Sequence, residues 1–140
     1  MSRGFTLMEL MIVIVILGLL AALVVPNLMG QSEEAKQKLA CVQMKQLETA
    51  LNDFRLNLGD YPSTEQGLEA LINNPDEERF KNFRSGGYIS AKTAPKDPWN
   101  TPYIYIYEGD SPELISLAAD GKEGGESQNR DIKLSECDQR

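Results

Sequence analysis

Between Asp120 and Ile132 the chain carries four acids, several amide or hydroxyl oxygens, and a backbone loosened by three glycines, Gly121, Gly124 and Gly125. Hard cations such as calcium are held by oxygens of this kind, from carboxylates, amides or carbonyls, at about 2.3–2.6 Å. The EF-hand pattern is not met, because Lys122 stands where the second oxygen ligand would be. From Glu108 to Arg140 nine acids face four bases, so most of the net charge of −7 lies here, and a solvated acidic loop is the competing reading. The chain has no histidine. Ser-His and Cys-His nucleophilic sites and ordinary histidine-based zinc centres are therefore excluded. An enzyme or glycan-binding module would have to be built from carboxylates such as Glu65 and Asp97, from lysine, or from the tyrosines. The acidic balance also argues against a nucleic-acid partner, which would need a basic face.

A second pointed residue is Glu9, at the mouth of an apolar run from Leu10 to Met29. The next formal charge is Glu33, leaving 23 uncharged residues between the two acids. About 20 predominantly apolar residues cross a bilayer as a helix. An acid at depth in the bilayer costs roughly 2.5–3.5 kcal/mol, so Glu9 either has a partner or stays wet at headgroup depth. If the chain is cut after Gly4, Phe5 carries a cationic amine, and Glu9 of one subunit can pair with that amine on a neighbour as a register device. No small-x-small cleavage pair lies between Gly18 and Gly30, and the first cysteine is Cys41. Neither ordinary signal-peptide removal nor lipoprotein processing is expected, and the apolar helix should stay in the working protein. Within it, Pro26 removes a backbone donor and crowds the carbonyl of Ala22, which predicts a kink or local opening.

These residues need elements to position them. Beyond Gln31 the helix turns amphipathic, with Met44, Leu47, Leu51, Phe54 and Leu58 on one stripe. Gly59 and Pro62 supply stop signals, so the spacing predicts one helix from about Phe5 to about Leu58. A short helix is expected from Thr64 to Leu71, capped by Ser63 or Thr64 and ended by Asn73-Asn74-Pro75. Three prolines between Pro95 and Pro102 forbid helix there, and Trp99 among them reads as a ligand anchor or as a cover over a small core. Tyr103 to Tyr107 and Glu113 to Leu117 form an antiparallel hairpin around Glu108 to Pro112, with tyrosines placed either to stack carbohydrate or to pack the sheet. The fold class is α+β: a long N-terminal helix, one half for the membrane and one amphipathic, packed on a small domain with a short antiparallel sheet.

Gly4-Phe5-Thr6-Leu7-Met8-Glu9 before an uninterrupted apolar helix resembles the type IV prepilin signature shared by type IV pilins and type II secretion pseudopilins. The resemblance implies a prepilin peptidase that cuts after Gly4 and N-methylates Phe5, subunit docking guided by Glu9, and loosened helical bonding near Pro26 in a packed filament. Further on, Tyr61 to Leu68, Pro95 to Trp99 and Ser116 to Gly125 resemble the major pseudopilin family of type II secretion, the general secretion pathway protein G family. That implies one calcium ion in the C-terminal loop. Its implied ligands are the side chains of Asp120 and Asp131, oxygen from Ser127 or Asn129, and the carbonyl of Leu117. Some relatives carry an acid where this chain has Arg130, which leaves that position at most its backbone carbonyl.

The implied organisation is a prepilin leader over residues 1–4, a transmembrane and filament-core helix over 5–30, and a periplasmic domain over 31–140. The chain would be a non-enzymatic, single-pass protein of the bacterial inner membrane, forming a homopolymer in the periplasm that drives protein export across the outer membrane. Minor pseudopilins, an inner-membrane assembly platform and a secretion ATPase would be its partners. The alternatives are a type IV pilus subunit for adhesion or motility, and a membrane-anchored periplasmic enzyme or glycan-binding domain. Cys41 and Cys137 are no family signature, but outside the cytoplasmic membrane they could form a disulfide closing a loop of nearly 100 residues.

Overall fold

The computed structural model describes residues 3–139, apart from the side chains of residues 24–31. Two compact units are distinguished, one ending at Glu34 and one beginning at Ala35. Helix α1, Leu7–Leu58, contributes to both. In the first unit the described side chains of α1 are exposed around the whole circumference, from Leu7 to Leu23. Among the described residues no helix is long and apolar enough to cross a membrane. The described side chains of the apolar run stop at Leu23, however, and so cover only part of the uncharged stretch read from the sequence. The helix runs through Pro26 without interruption, so the local opening expected there is not seen, and of the leader expected at residues 1–4 only Arg3 and Gly4 are described.

In the second unit α1 buries one face. Ala40, Met44, Leu47, Ala50, Leu51 and Phe54 recur at helical spacing and are buried, with Leu58 packed at the margin. Gly59 ends the helix at φ 95, a left-handed conformation that glycine adopts without Cβ strain, and its N–H donates to the Arg55 carbonyl at 2.7 Å. The next segment departs from expectation. In place of a short α-helix over Thr64 to Leu71 there is a turn, then a 3-10 helix at Leu68–Leu71. The Ser63 and Gln66 side chains each accept the other's backbone N–H, at 3.2 and 2.9 Å, while Gly67 at φ 61 breaks the helical path.

The sheet has three antiparallel strands in the order β1 (Ile104–Ile106), β2 (Glu113–Ser116) and β3 (Ile132–Lys133). Tyr105 faces Leu114 across β1 and β2, and Ser116 faces Ile132 across β2 and β3. Tyr103, Tyr105, Leu114 and Ile132 turn inward onto the buried face of α1 and form one core with Leu71, Phe80 and Tyr88. Trp99 lies partly buried against that core, as a cover. A 3-10 segment, Leu134–Gln139, follows β3, and a disulfide joins its Cys137 to Cys41 of α1.

Candidate functional site

Two places hold the residues that the sequence singles out. The first is the start of α1. Thr6 precedes the helix, its hydroxyl accepts the Glu9 N–H at 3.2 Å, and Glu9 Oε2 accepts the Thr6 N–H at 3.2 Å. This reciprocal capping box satisfies donors that have no partner within the helix. Its Thr-x-x-Glu spacing is legible in the sequence, whereas membrane cost alone leaves Glu9 either paired with a neighbouring chain or wet at headgroup depth. Glu9 therefore has a partner in its own chain, and its negative charge lies where the positive end of the helix dipole favours it.

The second place is the loop after β2. The β2–β3 ladder ends at the Ser116 and Ile132 pair, so Leu117 directly follows its last residue on one strand and Asp131 directly precedes it on the other. The 3-10 turn Ala118–Asp120 packs against the 3-10 turn Ser127–Asn129. Gly124 N–H donates to Asp131 Oδ2 at 2.9 Å, and Lys122 N–H to Asp120 Oδ1 at 3.1 Å. Gly125 stands at φ 93, and a Cβ there would run into the Asn129 carbonyl, so the loop closes on itself only with glycine at that position. Asp131 Oδ1 is buried and has no hydrogen-bond partner among the described residues. Leu117, Asp120, Ser127, Asn129 and Asp131 are thus carried on the two facing arms of one loop. Among the described residues no three Asp, Glu or Cys side chains converge. A set of two carboxylates completed by carbonyl, hydroxyl or amide oxygen does not require a third and suits a hard cation. Arg130 meets Glu136 at 3.5 Å, so its charge is answered by the terminal segment.

Of the residues considered for catalysis or glycan binding, Asp97 and the tyrosines in and beside β1 are used structurally, whereas Glu65 is exposed. Asp97 is buried and accepts from Trp99 N–H at 3.1 Å, Thr101 N–H at 2.8 Å and the Ser116 hydroxyl at 2.7 Å. Buried Tyr103 and Tyr105 donate to Gln43 Oε1 and the Pro62 carbonyl. Burial pushes both phenols above their ordinary range, and the Asp97 charge adds to this at Tyr103. Tyr107 donates to Asp60 at 2.7 Å, which with the Tyr61 N–H holds the Asp60 carboxyl below the usual carboxylate value. Tyr103, Tyr105 and Tyr107 therefore each spend their hydroxyl proton within the domain.

An exposed apolar helix opened by a capped acid, followed by a compact α+β unit with a three-stranded sheet, defines a pilin-like chain. Residues 1–25 match the family model "Prokaryotic N-terminal methylation motif", and residues 27–135 match "Type II secretion system (T2SS), protein G". The chain belongs to the type II secretion system protein G family and is a type II secretion pseudopilin. It is 49% identical over 133 residues to the type II secretion system core protein G of Vibrio cholerae, covering 94% of this chain and 90% of that protein. With the Pseudomonas aeruginosa protein of the same name it shares 47% over 134 residues, covering 94% and 93%. The crystal structure of the major pseudopilin from the type 2 secretion system of enterohaemorrhagic Escherichia coli superposes with a TM-score of 0.62 at 34% identity, over 79% of this chain and 95% of that one.

Proposed function

We propose that this pseudopilin is the polymerising subunit of a periplasmic fibre. A prepilin peptidase cuts it after Gly4 and N-methylates Phe5, the apolar helix is stored in the bacterial inner membrane, and copies bundle through that helix. Minor pseudopilins, the inner-membrane platform and the secretion ATPase are its working partners. The observation that carries this reading is the exposed apolar surface of α1 from Leu7 to Leu23. Apolar surface on that scale is covered by lipid or by other helices. A carboxylate accepts at both oxygens, so the Thr6 cap and a Phe5 amine from a neighbouring subunit are compatible at Glu9.

The loop from Leu117 to Asp131 is the calcium site in this reading. Asp120 and Asp131 give carboxylate oxygens, Leu117 its carbonyl, and Ser127 or Asn129 a further oxygen. What supports it is Asp131 Oδ1, since a buried carboxylate oxygen without a donor is costly and a cation relieves the cost. When bound, the cation supplies positive charge that ties the two arms of the loop together.

The experiment is assembly of the full chain in cells carrying the rest of the secretion machine, with sheared fibres counted by electron microscopy. The chain is expected to yield fibres, with Glu9→Ala and calcium chelation each reducing them at least tenfold. Parental fibre yield from Glu9→Ala would remove the acid from assembly, and parental yield under chelation would remove the cation.

A further inference from the structure

Asp97 belongs to the proline-rich stretch that precedes the sheet, and the fibre reading gives it no role. It is 4% exposed, and its carboxylate accepts from the Trp99 and Thr101 N–H groups and from the Ser116 hydroxyl. Oδ1 gathers the Trp99 and Thr101 N–H groups and shapes the turn through Asn100, a residue at φ 64. Oδ2 takes the hydroxyl proton of Ser116 at 2.7 Å. A hydroxyl has one proton to give, so Ser116 Oγ meets its other partner as an acceptor, and that partner is the Ala118 N–H at 3.3 Å. Ser116 is wholly buried in β2 opposite Ile132.

The relay ends where the cation loop begins. Ala118 sits at φ 56, a conformation that costs a residue with a Cβ and persists only when its surroundings enforce it. Leu117, between Ser116 and Ala118, directly follows the last paired residue of β2, whose partner Ile132 is directly preceded by Asp131. Thr101, held by Asp97, also borders the loop, because a Cβ on Gly121 would stand 3.8 Å from the Thr101 hydroxyl oxygen.

We propose that Asp97 and Ser116 are positioning residues for the cation loop, a buried carboxylate, hydroxyl and amide relay that fixes the turn at Leu117 and Ala118 and so presents the Leu117 carbonyl to the ion. Neither residue touches the ion. The inference rests on the calcium reading above, and its test separates the two.

Calcium and terbium titrations of the full chain in detergent micelles are compared for the parent, Ser116→Ala, Asp97→Asn and Asp120→Ala. The relay predicts that Ser116→Ala weakens calcium binding by about tenfold or more, the effect typical of losing a group that orients a metal ligand. It also predicts about one extra water on bound terbium, read from luminescence decay in light and heavy water, because a misplaced carbonyl is replaced by solvent. A loss of packing alone would lower the metal-free melting midpoint and leave that water count unchanged. Should Ser116→Ala not fold, Asp97→Asn carries the same prediction, since it keeps the Oδ1 contacts and replaces only the acceptor of the Ser116 hydroxyl. Parental affinity and water count in these variants, with binding abolished in Asp120→Ala, would overturn the relay and leave the calcium site standing. A parent chain that binds neither ion overturns both.

Discussion

Three aspartates in the second unit make different uses of the same functional group. Among the described residues Asp131 keeps one buried oxygen without a donor, Asp97 accepts from three donors, and Asp60 lies near the surface beneath the Tyr107 hydroxyl and the Tyr61 N–H. The Asp60 carboxyl is held below its ordinary value of 3.8 by those two hydrogen bonds, the tyrosine hydroxyl first. Since the unfolded chain then takes up that proton more readily than the folded one, the contribution is fully present above 3.8 and is lost as pH falls below it. Asp60→Asn is expected to be less stable at neutral pH and to have a shallower acid limb, measured by urea melts on either side of that value. Parallel parent and variant curves would show that Asp60 contributes nothing through its charge. Of these three settings only that of Asp131 is local in the sequence. The glycines and acids around Asp131 lie within one loop, whereas the donors to Asp97 Oδ2 and to Asp60 come from Ser116 and Tyr107, far along the chain.

At the scale of elements, what is legible is what is local. The end of α1 at Leu58 follows from Gly59, and the hairpin of β1 and β2 follows from alternating apolar residues around Glu108 to Pro112. Strand β3, only Ile132–Lys133, is too short to show an alternation and exists by pairing with β2. The stretch after Pro75 is largely polar through Phe83, and it is fastened to α1 through rings. Phe54 meets Phe80 and Tyr88 edge-on at 5.4 Å and Phe83 at 6.3 Å. Such contacts leave no periodic trace, because each depends on a partner elsewhere. Phe54→Ala is expected to cost about 3–5 kcal/mol by equilibrium unfolding, with hydrogen exchange between Phe80 and Tyr88 accelerated before that of the sheet. A loss under about 1 kcal/mol would mean that the connection is held by its own turns.

For the whole molecule the dominant long-range tie is Cys41 to Cys137, 96 residues apart with Cα atoms 5.5 Å from each other. It fastens the terminal segment to α1 beside the Lys45 and Asp138 ion pair at 3.1 Å, which is exposed and adds little. Closing a loop of this size removes freedom from the unfolded chain, by up to about 4.7 kcal/mol in the chain-entropy model. Replacing both cysteines by serine is expected to lower the melting midpoint by several degrees, and reductant should do the same to the parent. Equal midpoints in oxidised and reduced protein would contradict this. The bridge also decides how the subunit carries tension. A pull between residues before Cys41 and residues after Cys137 passes through two sulfur atoms, so the enclosed chain, about 330 Å if drawn out, is bypassed by the load. The domain is then a slack loop beside a short covalent path, and stretching along the chain cannot unravel it while that path is intact.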